Sequence, residues 1–297
     1  MLDVYRRLRQ KDPKAPDAEY DGSYQPHREA ENAAWPREQQ EKLELSAAQT
    51  ATISRTVAGH DWVAEAWVLC FDAPVETSPY RYDTKIAYNQ VDPYGNTRVI
   101  ALMELLQEAA IEHSSAIGKD VFRLLEDNEG WVLRAGVLDF DLYPRYGEHL
   151  HIATWISKWT TFTGTREFRL MNADDTIIAT ATTLWAYVDT ERKRPTPVAT
   201  EFKNEWAFAP ERAVDEPFIK QPLPIPTLHT TTPFDVRRHD IDSNKHVHDV
   251  RYLEWVLESV PEKYFEDYLL ARIDGSFIHE ARLGDSILVQ AGALDPT

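Results

Sequence analysis

Apolar positions recur along this chain with two different periods, and the places where the period changes outline its elements. From Tyr80 onward the pattern sharpens: Tyr82 to Tyr88 predicts a strand, and Asn96 to Ile117 carries the three-to-four-residue period of a helix. Along that helix Ile100, Met103, Leu106, Ala110 and Ile111 trace one face, and Gly118 stands where a left-handed residue would end it. Four strand-like segments rich in β-branched and aromatic residues follow: Trp131–Tyr143, His149–Thr160, Gly164–Asn172 and Thr176–Val188. Pro144 and Gly147 break the first pair, and Asn172-Ala173-Asp174-Asp175 turns the last. One strand, a long helix, then a run of antiparallel strands is an α+β order in which a curled sheet buries the helix.

The order then begins again. His229 to Arg238 reads as a strand and Val250 to Val260 as a helix. A shift of 150 residues lays Asp92 on Asp242, Val91 on Ile241, Leu105 on Trp255 and Glu108 on Glu258, the mark of a degenerate internal duplication. At the same shift Asn244 meets Tyr94 and His246 meets Asn96, so only the second half carries a set with catalytic potential. The expected organisation is an extension over residues 1–79, a first domain over 80–189, a proline-rich extended linker over 190–228 and a second domain over 229–297. Within the extension, Pro36 to Ser54 reads as helical and Trp62 to Phe71 as a strand. The second domain has 69 residues against 110 for the first. This predicts an incomplete sheet: either the chain is a fragment, or Trp62–Phe71 supplies a replacement strand.

Charge and cysteine usage narrow the function classes. A net charge of −17 argues against wholesale binding to nucleic acid or anionic membranes. The basic run Arg192-Lys193-Arg194 reads as a solvated loop. A single cysteine, Cys70, permits neither an intrachain disulfide nor a cysteine metal cluster and fits a reducing compartment. The N-terminal residues lack the apolar core of a signal peptide, so a cytoplasmic location is expected. No metal constellation or phosphate-binding glycine loop is present in the sequence, and no cofactor is expected.

The chemistry concentrates in Asp240-Ile241-Asp242-Ser243-Asn244-Lys245-His246-Val247, just before the second helix. Asp, Ser and Asn there could simply cap the helix. They could also hold an acyl group: Asn and His can bond a carbonyl or a water, Asp can orient either, and helix-start N–H groups can stabilise an anion.

Taken with Trp131-Val132-Leu133, Tyr143-Pro144-Arg145-Tyr146-Gly147-Glu148, Gly164-Thr165-Arg166-Glu167-Phe168, Tyr252-Leu253-Glu254-Trp255 and Glu280-Ala281-Arg282-Leu283-Gly284-Asp285, that stretch resembles the fatty acyl–acyl carrier protein thioesterases of plants and bacteria. The resemblance implies tandem hotdog domains, each a sheet wrapped round a long helix, with the acyl chain held in the first. It implies hydrolysis of the thioester of acyl carrier protein (ACP), with Asp242, Asn244, His246 and Glu280 as the catalytic set. Many plant members have a cysteine directly after the glutamate; here Ala281 stands there, and a methyl group cannot attack a thioester. A water positioned by Glu280 and His246 would attack instead, with Asn244 and helix-start N–H groups stabilising the oxyanion. The implied partner is ACP bearing an acyl chain, which is acidic, and Arg237, Arg238, Lys245 and Arg251 are the candidates to dock it. A homodimer is left open. Competing readings are an acyl-CoA thioesterase, a hotdog hydratase and a non-catalytic acyl-binding protein.

Overall fold

The computed structural model of the chain describes residues 2–10, 52–57, 60–65, 77–214, 218, 227–262, 264–265 and 268–293. They divide into two units, Asp12–Ala73 and the remainder. In the smaller unit, strands β2 (Thr52–Val57) and β3 (His60–Glu65) pair as an antiparallel hairpin. The Thr52–Ser54 end of the predicted helix is therefore strand, while residues 36–51, 66–71 and Cys70 lie outside the described residues.

In the larger unit, β4 (Tyr80–Lys85) shows the alternation that makes a one-sided strand: Arg81, Asp83 and Lys85 are exposed, and Tyr80, Tyr82 and Thr84 are turned inward. It leads to helix α1 (Val99–Ala116), the short helix α2 (Val121–Glu126) and four long strands. These are β5 (Glu129–Phe140), β6 (His149–Trp159), β7 (Thr163–Asn172) and β8 (Ile177–Asp189). After the two-residue β9 (Arg194–Pro195) and helix α3 (Thr200–Asn204), the second half adds β10 (Thr227–Asp235), α4 (Asp249–Glu258), β11 (Tyr268–Phe277) and β12 (Ser286–Ala293).

One antiparallel sheet runs through both halves in the order β11-β5-β8-β7-β6-β4. The junction is β11 on β5, with Gly275 opposite Gly136. Along its other edge β11 pairs with β1 (Leu2–Gln10), from Leu2 opposite Phe277 to Gln10 opposite Tyr268. The extension thus contributes a strand at its start, a place where sequence reading put no element, and the edge of the short second half is paired. Strands β10 and β12 form a separate two-stranded sheet.

The sheet and α1 share one core. Leu102, Leu150 and Ile152 are fully buried in it, and Leu253, Leu270 and Ile273 of the second half belong to the same cluster. Each such side chain contributes about 1.5–3 kcal/mol by leaving water. The buried face of α1 is Ala101, Leu102, Leu105, Leu106 and Ala109, rotated from the expected stripe; Ile111 is 40% exposed. Glu104, Glu108 and Glu112 mark one polar stripe, but apolar residues flank it on both sides, so the period left the facing direction open. Small Ala101 and Ala109 let the sheet approach, while Ala110 and Ile111 face a cavity.

The predicted extended linker also needs correction. Residues 198–209 fold back on the first domain: Val198, Phe202 and Trp206 are buried with Leu124, Ile156 and Tyr187, and Ile156 exchanges backbone hydrogen bonds with Ala207 and Ala209. Prolines mark the segment as non-helical without saying what it packs on, and its aromatic residues decided the matter.

Candidate active site

Asp242 organises the loop before α4. Its Oδ1 accepts the N–H groups of Asn244 at 2.9 Å and His246 at 3.2 Å, and its Oδ2 lies 3.3 Å from the Asn244 amide nitrogen. Its own N–H donates to the His246 carbonyl at 2.9 Å. One carboxylate therefore fixes both the Asn244 side chain and the backbone that carries His246. The turn puts Lys245 at φ 64°, a left-handed conformation costly for a side chain with a Cβ.

The neighbouring segment is tied to this loop by the Val247 N–H, which donates to the Ala281 carbonyl at 2.9 Å. The Ala281 N–H in turn donates to the Tyr252 hydroxyl of α4, also at 2.9 Å. These bonds bring Glu280 beside His246, with Oε2 at 3.1 Å from Nε2. The other carboxylate oxygen meets Arg282 at 2.5 Å and Lys193 at 3.5 Å. Partial burial would raise the pKa of Glu280, but the Arg282 hydrogen bond and the charges of His246, Lys193 and Arg282 outweigh it and hold the carboxyl below its ordinary range. Ala281 is buried and places no nucleophile here.

The structure thus brings Asp242, Asn244, His246 and Glu280 together on the wall of a cavity of about 1290 Å³. The opposite wall comes from the first half and includes Trp131, Trp159, Arg166 and Trp206. Lys193 was missed because its basic run has the look of a solvated loop; only the β8–β9 turn reveals its reach across the cavity. Asp249, the first residue of α4, was missed as well. It lines the cavity, and its Oδ1 accepts from Gln107 of α1 at 2.5 Å and from the Val250 N–H at 2.9 Å. Burial raises its pKa most, and the nearby Asp242 charge adds to the effect.

Of the helix-start N–H groups, those of His248, Val250 and Arg251 are bound to Asp240, Asp249 and His248, and the Asn244 amide lies on the same cavity as a side-chain donor. Among the docking candidates, Arg251 is held by Glu254 at 2.5 Å and Glu104 at 3.6 Å, a clamp between the two helices. Arg237 and Arg238 are exposed beyond the cavity lining, whereas Lys245 sits on it with Arg134, Lys193, Arg194 and Arg282. No group of residues suited to hold a metal ion occurs among the described residues. No helix there is long and apolar enough to cross a membrane.

A sheet shared by two helix-bearing halves, with a polar set at their junction, defines a tandem hotdog protein. Solved structures agree in fold. A 12:0-ACP thioesterase from Umbellularia californica superposes with a TM-score of 0.65 at 23% identity, covering 73% of this chain and 88% of that one. An acyl-ACP thioesterase from Bacteroides thetaiotaomicron gives 0.62 at 23% identity, covering 69% and 83%. The family models of the acyl-ACP thioesterase N-terminal and C-terminal domains match residues 78–206 and 226–292, and the chain belongs to this family. Similar curated proteins include a chloroplastic acyl-ACP hydrolase of Cuphea viscosissima, 26% identical over 66% of this chain and 50% of its own length. A chloroplastic dodecanoyl-ACP hydrolase of Cinnamomum camphora is 26% identical over 70% of this chain and 58% of its own length. The chain thus spans about half the length of these curated relatives.

Proposed function

We propose that the chain hydrolyses the thioester of fatty acyl-ACP, releasing the free fatty acid. The observation that carries this reading is the 3.1 Å approach of His246 Nε2 to Glu280 Oε2 beside Asn244, on a cavity continuous with the first half. Glu280, held ionised by Arg282 and Lys193, is a weak base and a good orienting anion. With Nε2–H turned toward it, His246 keeps Nδ1 as the acceptor for a water proton. The water oxygen bonds the carbonyl carbon, Asn244 donates to the developing oxyanion, and collapse breaks the C–S bond. The proton held by His246 then passes to the departing pantetheine thiolate. Asp242 positions both Asn244 and His246.

The basic residues at the cavity, Lys193, Arg194, Lys245 and Arg282, suit the acidic carrier, and they suit the phosphates of coenzyme A as well. The deciding experiment supplies the same acyl group on ACP and on coenzyme A and measures free fatty acid. Release from ACP that falls by at least about a hundredfold in His246→Ala supports the reading. Equal release by the wild type and that variant would overturn it.

A further inference from the structure

Asp249 is a mostly buried carboxyl on the cavity that this mechanism leaves idle; its side chain is 15% exposed. Every neighbour that bonds it meets the same oxygen. Oδ1 accepts from the Gln107 amide of α1 at 2.5 Å and from the Val250 N–H at 2.9 Å, and His248 Nε2 stands 3.4 Å from it. Oδ2 has no hydrogen-bond partner among the described residues, and it is not closed off from the cavity. That division suits a neutral carboxylic acid better than a carboxylate. A neutral acid has a carbonyl oxygen that accepts and a hydroxyl that donates, whereas both oxygens of a carboxylate call for donors.

The surroundings point the same way. The charged or titratable groups near Asp249 are His248 at the start of its own helix and Asp242 of the preceding loop. Across the cavity, His246 and Glu280 face each other. From α1 comes Gln107, which is uncharged, and Leu133 of β5, Trp185 of β8 and Phe277 of β11 bring only apolar surface and an indole. These three residues, with Gln107 and Asp249, also line a smaller pocket next to the cavity. Burial and the Asp242 charge raise the pKa of Asp249 against the pull of His248 and the two hydrogen bonds. Carboxyls perturbed in this way gather at sites that use them. The site has a use for one: Asn244 is a single side-chain donor, and the N–H groups of His248, Val250 and Arg251 are already bound.

We infer that Asp249 is a second oxyanion donor, its Oδ2–H bonding the thioester oxygen together with the Asn244 amide. The inference rests on the thioesterase reading and adds a substrate-contacting residue to it. When water attacks the carbonyl carbon, the π electrons of the C=O bond move onto oxygen, where both donors meet them. Collapse re-forms the C=O bond and breaks the C–S bond, and the proton for the thiolate comes from His246. Asp249 keeps its own proton throughout. Ionised Asp249 would set a negative charge against the oxyanion, so the rate falls as pH rises through its raised pKa.

The test follows fatty acid release from acyl-ACP over roughly pH 5 to pH 9. Asp249→Asn keeps an oxygen for Gln107 and offers a donor that cannot ionise; Asp249→Leu removes the donor. At the acid end kcat should fall by about tenfold in Asp249→Asn and by about a hundredfold or more in Asp249→Leu. The alkaline fall of the wild type should vanish in Asp249→Asn. The same pH profile in the wild type and Asp249→Asn overturns the inference. So does a folded Asp249→Leu with near-wild-type kcat, or an Asp249→Asn no more active than Asp249→Leu. If Asp249→Leu does not fold, the Asp249→Asn profile decides. If the wild type releases no fatty acid, the thioesterase reading fails, and infrared difference spectra with a ketone analogue of decanoyl-pantetheine decide for Asp249. A carboxylic-acid band that shifts on binding and is missing in Asp249→Asn supports the donor, and the absence of such a band overturns it.

Discussion

The loop at Asp92–Asn96 and the loop at Asp242–His246 have the same backbone and different chemistry. In the first, Asp92 Oδ1 accepts the N–H groups of Tyr94 and Asn96, both at 2.9 Å; in the second, Asp242 Oδ1 accepts those of Asn244 and His246. Asp92 N–H reaches the Asn96 carbonyl at 2.8 Å, as Asp242 N–H reaches that of His246 at 2.9 Å. Thr97 N–H bonds the Pro144 carbonyl where Val247 N–H bonds that of Ala281, which makes Tyr143 the counterpart of Glu280. The Tyr143 hydroxyl donates to the Leu270 carbonyl at 2.7 Å, a structural bond to the other half. The pair teaches that Asp242 has an architectural duty independent of any catalytic one. What distinguishes the second half is Asn244, His246 and Glu280, set on a scaffold that the first half uses only to fold.

That contrast can be broken most sharply by making the second loop like the first. His246→Asn installs the residue that the first loop already accommodates, so the fold should persist while fatty acid release falls by about a thousandfold. Release near the wild-type rate would return His246 to a capping role.

A smaller effect concerns Asp249, whose counterpart Val99 carries no charge. Burial raises its folded-state pKa above the ordinary 3.8, so the native state holds a proton more readily than the unfolded chain does. Stability is therefore lost as pH rises from about 3.8 through the raised value, and the ionised group opposes folding above it. Asp249→Asn, which keeps an oxygen for Gln107 and Val250, should be the more stable protein at neutral pH, with the gap closing as pH falls. Urea unfolding across that range checks the sign.

The smallest effect lies at Lys245, which adopts φ 64° where the first loop has Gly95 at 83°. Lys245→Gly should gain up to about 1 kcal/mol from relieved strain, less the added freedom of the unfolded chain, read as a rise in Tm.

Sequence reading reached the duplication because turn residues and helix starts sit at fixed offsets in both halves, and backbone geometry depends on such local signals. It reached Asp242, Asn244, His246 and Glu280 through motif resemblance, and the structure sets these four side by side. It did not reach the direction in which α1 faces, since apolar residues flank the polar stripe of Glu104, Glu108 and Glu112 on both sides and leave more than one of them open as the core face. Nor did it find α3, Lys193, Asp249 or the surroundings of Arg166. Each gains its meaning from residues dozens of positions away, such as Gln107 against Asp249 and His113 against Arg166. The strand β1 escaped for a related reason: its partner lies in the last part of the chain.

That last pairing bears on how the molecule is made. During synthesis Leu2–Gln10 emerges from the ribosome long before β11 exists, and more than two hundred residues separate Gln10 from Tyr268. The first half, whose strands follow one another closely, can assemble while translation continues. The early strand must wait, its backbone donors and acceptors open to any passing partner. Completion of the second half then becomes a late event that joins the two extremes of the described chain, and a window in which a chaperone has most to protect.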